Sequence, residues 1–204
     1  MDFTDFVLSN LPPAPARVLE VGCGDAGGVV PALTAAGYEA LGVDPLAPAG
    51  PSYRQVDFRE VEGAFDAIVA GRVIHHLHPL DEAVDALAGL APVLIVDEFA
   101  WDRIDAAAQD WYEGQYRMLA AAGAEPKAPP LLDEWRAKHP DMHTHGVVLD
   151  ALRARYEERT LEWIPYLHRW LRGPASEALE TSLVAAGAFP AIGWRWAGVR
   201  RARR

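Results

Sequence analysis

Seven residues near the start of the chain carry its most specific chemical signal. Gly22-Cys23-Gly24-Asp25-Ala26-Gly27-Gly28 follows the apolar run Arg17-Val18-Leu19-Glu20-Val21 and leads into a helical stretch, Gly28 to Ala36. A strand that enters a glycine turn and leaves as a helix forms a mononucleotide site. Glycine lets the turn tighten and lets a ligand approach the backbone, while the helix start offers free N–H groups. Two carboxylates end later apolar runs: Asp44 after Ala40-Leu41-Gly42-Val43, and Asp57, followed by Phe58, after Tyr53. Gly71 and Arg72 follow the run Phe65 to Ala70, then come His75 and His76. Asp97 and Glu98 follow Val93 to Val96. These are the groups from which a cofactor and acid–base site can be built.

Two cofactor classes compete for the turn. Gly22, Gly24 and Gly27 satisfy the G-x-G-x-x-G pattern, and Asp44 stands about twenty residues further on, as in a nicotinamide dinucleotide site. An NAD(P)-dependent oxidoreductase is therefore one reading. Against it, Glu20 places a carboxylate at the tip of the first strand, where it would repel a pyrophosphate and favour a sulfonium or an ammonium. A Tyr-x3-Lys pair is also missing from its expected place. Asp57 and Phe58 could accept from an adenine amino group and stack on its ring. A plainer reading of Asp44 and Asp57 is that they are turn residues at strand ends.

The elements that must hold these residues read as alternating strands and helices. Asp2 caps a short amphipathic helix ended by Leu11-Pro12-Pro13. Strands are expected at 17–21, 40–43, 53–57, 65–70 and 92–96, with a helix from Pro79 to Leu90 that points Leu80, Val84 and Leu87 inward. Apolar strands alternating with helices imply an α/β fold, a doubly wound parallel sheet covered on both faces. The stretch between Asp44 and Tyr53 is too short for a crossover helix and must be a loop. Beyond Glu98 the texture changes, and residues 99–172 hold five of the seven Trp and four of the six Tyr. Helices are expected at 100–122 and 131–138 around a proline-rich break at 125–130. Further expectations are a helix from Gly146 to Arg155, a return strand at 160–166, a helix at 175–186 and a last strand at 191–199. The chain thus divides into 1–98, a helical insert at 99–146, and a sheet-completing part at 147–204.

Four separated segments, Val18-Leu19-Glu20-Val21-Gly22-Cys23-Gly24, Gly42-Val43-Asp44, Val56-Asp57-Phe58 and Phe65-Asp66-Ala67-Ile68-Val69 leading to Val73-Ile74-His75-His76-Leu77, together resemble class I S-adenosylmethionine-dependent methyltransferases in order and spacing. The resemblance covers residues 15–98. It implies a mostly parallel seven-stranded sheet with an antiparallel last strand, the helical insertion following the fifth strand. It also implies S-adenosyl-L-methionine as methyl donor and S-adenosyl-L-homocysteine as product. Glu20, Gly22 and Gly24, with Cys23 beside them, would line the methionine end. Asp44 would take the ribose hydroxyls, Asp57 with Phe58 the adenine, and Ala70 to Arg72, hence Gly71, would flank the sulfonium. Ala26 departs from the family, which often has a third glycine there, with Gly27 displaced by one.

The acceptor side is less specific. Methyl transfer needs an aligned acceptor, exclusion of water and sometimes a base. His76 and His145 are the candidate catalytic residues; His75, Asp97 and Glu98 are other acid–base groups, and His75 could instead cap its turn. Trp101, Trp111, Tyr112 and Tyr116 could face an acceptor or form the core of the insert, which is the natural cover for the cleft. His139, His143 and His145 could hold a metal, but the run has no carboxylate orienter beyond Asp141, and none is assigned. The net charge of −10 disfavours nucleic acid and anionic membranes, so the partner expected is a small molecule. The sequence leaves open a domain that binds the cofactor without catalysis, the atom methylated and the oligomeric state. With one cysteine, an acidic start at Met1-Asp2-Phe3 and no apolar span, a cytoplasmic protein is expected.

Overall fold

The computed structural model describes residues 2–126, 131–173 and 175–202. Its strands are β1 (Arg17–Val21), β2 (Glu39–Val43), β3 (Tyr53–Arg54), β4 (Ala67–Gly71), β5 (Val93–Phe99), β6 (Tyr156–Ile164) and β7 (Gly193–Arg200). They form one seven-stranded sheet in the order β3-β2-β1-β4-β5-β7-β6. The pairs β1·β2, β1·β4, β2·β3 and β4·β5 are parallel. Ala100 N–H donates to Ile192 O while Arg200 N–H donates to Pro92 O, so β7 runs antiparallel to β5. With the order reversing at β1, the carboxyl ends of β1, β2 and β4 bring their turns to one edge, where open α/β sheets bind ligands.

The helices are α1 (Phe3–Asn10), α2 (Val30–Ala35), α3 (Leu80–Leu90), α4 (Ala106–Ala121), α5 (Leu132–Ala137), α6 (His145–Arg155), α7 (His168–Leu171) and α8 (Ser176–Ala185). Asp2 caps α1 by accepting from Asp5 N–H at 2.8 Å, and α3 buries Leu80, Ala83, Val84 and Leu87 at helical spacing. Several elements start or stop away from their sequence expectations for local reasons. α2 begins at Val30 because Gly27 and Gly28 both adopt positive φ, which no right-handed helix accommodates. β3 shrinks to two residues because Asp57 caps a 3₁₀ turn, Phe58–Glu60, and draws the chain out of the sheet. Asp105 caps α4, accepting from Ala108 N–H at 2.9 Å, so the expected helix from residue 100 is first a 3₁₀ turn, Trp101–Arg103. β6 starts at Tyr156, directly after α6, and α7 was not foreseen.

The chain divides into two compact units. The first comprises Met1–Glu98, Gly146–Leu161 and Arg195–Arg204, with Phe6, Val7, Val18, Leu33, Val69 and Ile95 in its core. The second comprises Phe99–His145 and Glu162–Trp194, built around Phe99, Tyr112, Leu132, Tyr166 and Trp170. Trp101, Trp111 and Tyr116 pack against that second core, so these aromatics hold the unit together. Arg195 is buried in an ion pair with Asp97 at 3.2 Å, and the Arg200 and Arg201 N–H groups donate to Pro92 O and Arg155 O. Arg203, Arg204 and Lys127 to Pro130 of the proline-rich break lie outside the described residues.

Candidate active site

The glycine turn is held by β2 on one side and by Glu20 beneath it. Gly22 N–H donates to Val43 O at 2.9 Å, and Gly24 N–H donates to Asp44 Oδ2 at 3.1 Å. The other oxygen of Asp44 accepts from Leu46 N–H at 2.8 Å. One carboxylate therefore ties the turn after β1 to the turn after β2. Gly24 has φ +63°, and a Cβ there would meet nothing within 4 Å, which leaves the backbone open to a ligand. Gly28, also at positive φ, is required for the opposite reason: a Cβ would collide with the Glu20 carboxylate.

That carboxylate is buried and accepts from Val29 N–H at 2.8 Å and Val30 N–H at 3.1 Å. It thereby caps α2 from inside the fold, and its reach toward a ligand ammonium is indirect. Burial raises its pKa to about 7; the two N–H donors and the Arg72 charge oppose the rise. Burial and the charges of Glu20 and Asp44 push the Cys23 thiol up to about 11, so it is neutral and unreactive. Sequence reasoning missed Tyr53, whose hydroxyl donates to Gly27 O at 3.2 Å and props the turn. The signal available was only its position at the start of an edge strand.

Asp57 sits beyond β3, half-exposed, accepting from Arg59 N–H in a capping box with Glu60. Phe58 is only 3 % exposed, and the Arg59 guanidinium lies 4.8 Å from its ring centroid, so the ring is not open for the adenine stacking expected of it. Gly71 ends β4, and Arg72 follows at φ +59°, its N–H donating to Asp97 O at 2.7 Å. That non-glycine left-handed residue marks a sharp exit beside the turn where the resemblance puts the sulfonium.

The acid–base groups separate clearly. Glu98 Oε1 accepts from Ile74 N–H at 2.7 Å, while Oε2 lies 2.6 Å from His75 Nδ1, all of it buried. His75 and Glu98 therefore fix the 3₁₀ turn Ile74–His76, and Asp97 is committed to Arg195. Neither strand-five carboxylate is an open acid or base, contrary to the sequence expectation. His76 is exposed, its ring 4.0 Å from that of His75.

The second unit carries the other candidate. His145 opens α6, and Asp102 holds it twice, accepting from its backbone N–H at 3.0 Å and lying 2.7 Å from Nδ1. Among the described residues no group of three His, Cys, Asp or Glu is placed to hold a metal. His139 Nδ1 instead meets Trp135 O at 2.8 Å, and the His143 carbonyl accepts from Trp101 Nε1.

A parallel sheet reversing at a glycine turn, with a carboxylate capping the second strand and an antiparallel seventh strand inserted beside the fifth, is the class I methyltransferase architecture. The chain matches the methyltransferase-domain family model over residues 1–165 and belongs to that family; it is a class I S-adenosylmethionine-dependent methyltransferase. No curated protein matches it by sequence. Among solved structures it is similar to an S-adenosylmethionine-dependent methyltransferase from Mesorhizobium loti, at 17% identity and TM-score 0.60, covering 97% of this chain and 96% of that one. A similar protein from Listeria monocytogenes, described as a putative methyltransferase of that type, has 13% identity, the same coverage and TM-score 0.60. Magnesium protoporphyrin IX methyltransferase from Synechocystis PCC 6803 with bound S-adenosylhomocysteine has 15% identity and TM-score 0.55, covering 97% and 80%.

Proposed function

We propose that this methyltransferase acts on a small-molecule acceptor, that Asp44 binds the ribose of its methyl donor, and that His145 serves as the base, with His76 as a second candidate. The observation that carries the donor side is the Asp44 carboxylate, anchored to Gly24 N–H and Leu46 N–H at the tip of β2. A carboxylate so fixed can accept from ribose hydroxyls without reorganising. Glu20 and Gly28 keep the turn in shape, Gly22, Cys23 and Gly24 supply its backbone, Asp57 takes the adenine amino group, and Gly71 and Arg72 flank the sulfonium. S-adenosylmethionine supplies an electrophilic methyl group; the chain must align an acceptor with it, exclude water and accept a proton where one is lost.

The net charge of −10 supports a small-molecule acceptor over a nucleic acid. A similar structure is a methyltransferase named for magnesium protoporphyrin IX and another for geranyl diphosphate, both small molecules. Residues 99–146 would carry the acceptor-recognising groups. No described helix is long and apolar enough to cross a membrane, and a lone buried cysteine fits a cytoplasmic protein. The test is a screen of candidate acceptors that reads S-adenosylhomocysteine release. A small molecule that stimulates release, with the methyl group found on it by mass spectrometry, supports the reading. Methylation confined to added RNA or protein would contradict it.

A further inference from the structure

Three guanidiniums meet at one cavity at the end of the sheet opposite the glycine turn. That turn follows the carboxyl end of β1, which is parallel to β4 and, through it, to β5. The last residue of β7 instead lies beside the start of β5, with Arg200 N–H on Pro92 O. The cavity there, of about 370 Å³, is lined by Arg155 at the end of α6, by Arg200 and Arg201, and by Asp85, Ala88 and Gly89 of α3. All of these residues belong to the first unit. Small-molecule sites occupy about 300–1,000 Å³, so the space suits a small organic ligand.

The charges on its wall are unequally matched. Asp85 meets Arg155 with both oxygens, at 2.8 Å to Nε and 3.2 Å to Nη2, and Asp81 adds a contact of 2.6 Å to Nη1. The Asp85 charge is thereby spent. Arg200 and Arg201 make no ion pair among the described residues. Each is tethered by a backbone carbonyl, Arg200 Nη1 by Ala88 O and Arg201 Nε by Arg153 O at 3.2 Å. A carbonyl fixes a guanidinium without neutralising it and leaves most of its five N–H donors for a ligand. The chain has 29 acidic and 19 basic side chains, so carboxylates are plentiful. The one carboxylate among the described residues of this wall is nevertheless committed to Arg155.

Gly89 adds an independent observation. It is helical, it has no positive φ, and a Cβ there would meet nothing within 4 Å. Glycine weakens a helix relative to alanine, and neither the backbone nor the packing requires it here. The missing side chain keeps the cavity wall open.

We propose that this cavity binds the phosphoryl group of a small phosphate monoester, at a site separate from that of the methyl donor. A phosphate monoester carries about two negative charges near neutral pH, which matches the two guanidiniums that lack a counter-charge. Planar guanidiniums take its oxygens in pairs, with the donors held in place before the ligand arrives. A monocarboxylate would leave one cation unneutralised. The organic part lies along Ala88 and in the space beside Gly89.

The experiment is a calorimetric titration of the full chain with ribose 5-phosphate, with inorganic phosphate and ribose in parallel. Both phosphates should bind once per chain, more weakly as salt is added, and ribose should give no heat. Saturating S-adenosylhomocysteine should leave the binding unchanged. Arg200→Gln and Arg201→Gln should each weaken it at least about tenfold. Gly89→Leu keeps every arginine, improves the helix and fills the space, so it should abolish ribose 5-phosphate binding with the circular dichroism spectrum retained. That variant decides the matter if Arg200→Gln loosens the end of β7. The absence of saturable heat from either phosphate overturns the proposal. So does ribose 5-phosphate binding undiminished in Gly89→Leu, or displaced by S-adenosylhomocysteine. Cosedimentation with phosphatidic-acid vesicles, without binding of ribose 5-phosphate, would assign the guanidiniums to a lipid headgroup and also overturn it.

Discussion

Each unit contains a carboxylate that binds both the backbone and the Nδ1 of a histidine, but the two pairs are set at different depths. In the first unit, Glu98 and His75 are sealed beneath the turn after β4, where they hold the 3₁₀ turn Ile74–His76. In the second, Asp102 and His145 make the same bonds while a quarter of the imidazole side chain stays in solvent. One bonding pattern thus serves packing where it is buried and is available to chemistry where it is open. The comparison teaches that depth, more than residue type, decides which histidine is a candidate base.

The largest expected difference between the pairs is in stability. Glu98→Ala would strand a buried imidazole and the Ile74 N–H and should cost about 3–5 kcal/mol. Asp102→Ala, in a partly exposed pair, should cost no more than about 1 kcal/mol. Urea denaturation of both variants measures the contrast, and equal losses would break it.

The next effect concerns the donor edge. Asp44→Ala should weaken S-adenosylhomocysteine binding by about 1.5–3 kcal/mol, through loss of charge-assisted hydrogen bonds to the ribose and of the carboxylate anchor on Gly24 N–H, with the fold retained because the residue sits at a strand tip. Isothermal titration of the variant gives this directly. His145→Ala should do the reverse, lowering kcat at least about tenfold and leaving donor affinity within about twofold. If both substitutions changed the same parameter, the division of labour between the units would be wrong.

Glu20 sharpens the contrast through pH. Its folded pKa of about 7 stands above the ordinary value of 4.5 because burial disfavours the charged form. The folded state then holds more protons than the unfolded one in that window, so stability falls as pH rises from about 4.5 to 7 and levels off above. The full span is about 3 kcal/mol as an upper bound. Glu20→Gln, which keeps an acceptor for the Val29 and Val30 N–H groups, should flatten this slope; a slope unchanged in the variant would assign it elsewhere.

Local patterns made the donor half legible. The strand–glycine–helix segment at 17–36 and the carboxylate of Asp44 at the next strand end depend on residues close in sequence, and turn chemistry follows from residue type. What sequence could not show were bonds across long separations. Asp102 and His145 are 43 positions apart, and the sequence offered Asp141 as the nearest orienter. Glu98 and Asp97 looked like open acids because their partners, His75 and Arg195, become partners only when β4, β5 and β7 lie side by side in the sheet. Phe58 looked like a stacking ring because nothing local says that a 3₁₀ turn buries it. The aromatics of 99–172 were ambiguous for a related reason: composition signals a dense cluster but not which way its faces point.

The most direct test of the account is a calorimetric titration of the full chain with S-adenosylhomocysteine and, separately, with NAD and NADP. The glycine turn with Asp44 and a buried Glu20 predicts a micromolar Kd for the thioether, about −8 kcal/mol, reduced in Asp44→Ala, and no comparable heat from either dinucleotide. Micromolar binding of NAD or NADP with none of S-adenosylhomocysteine would contradict it.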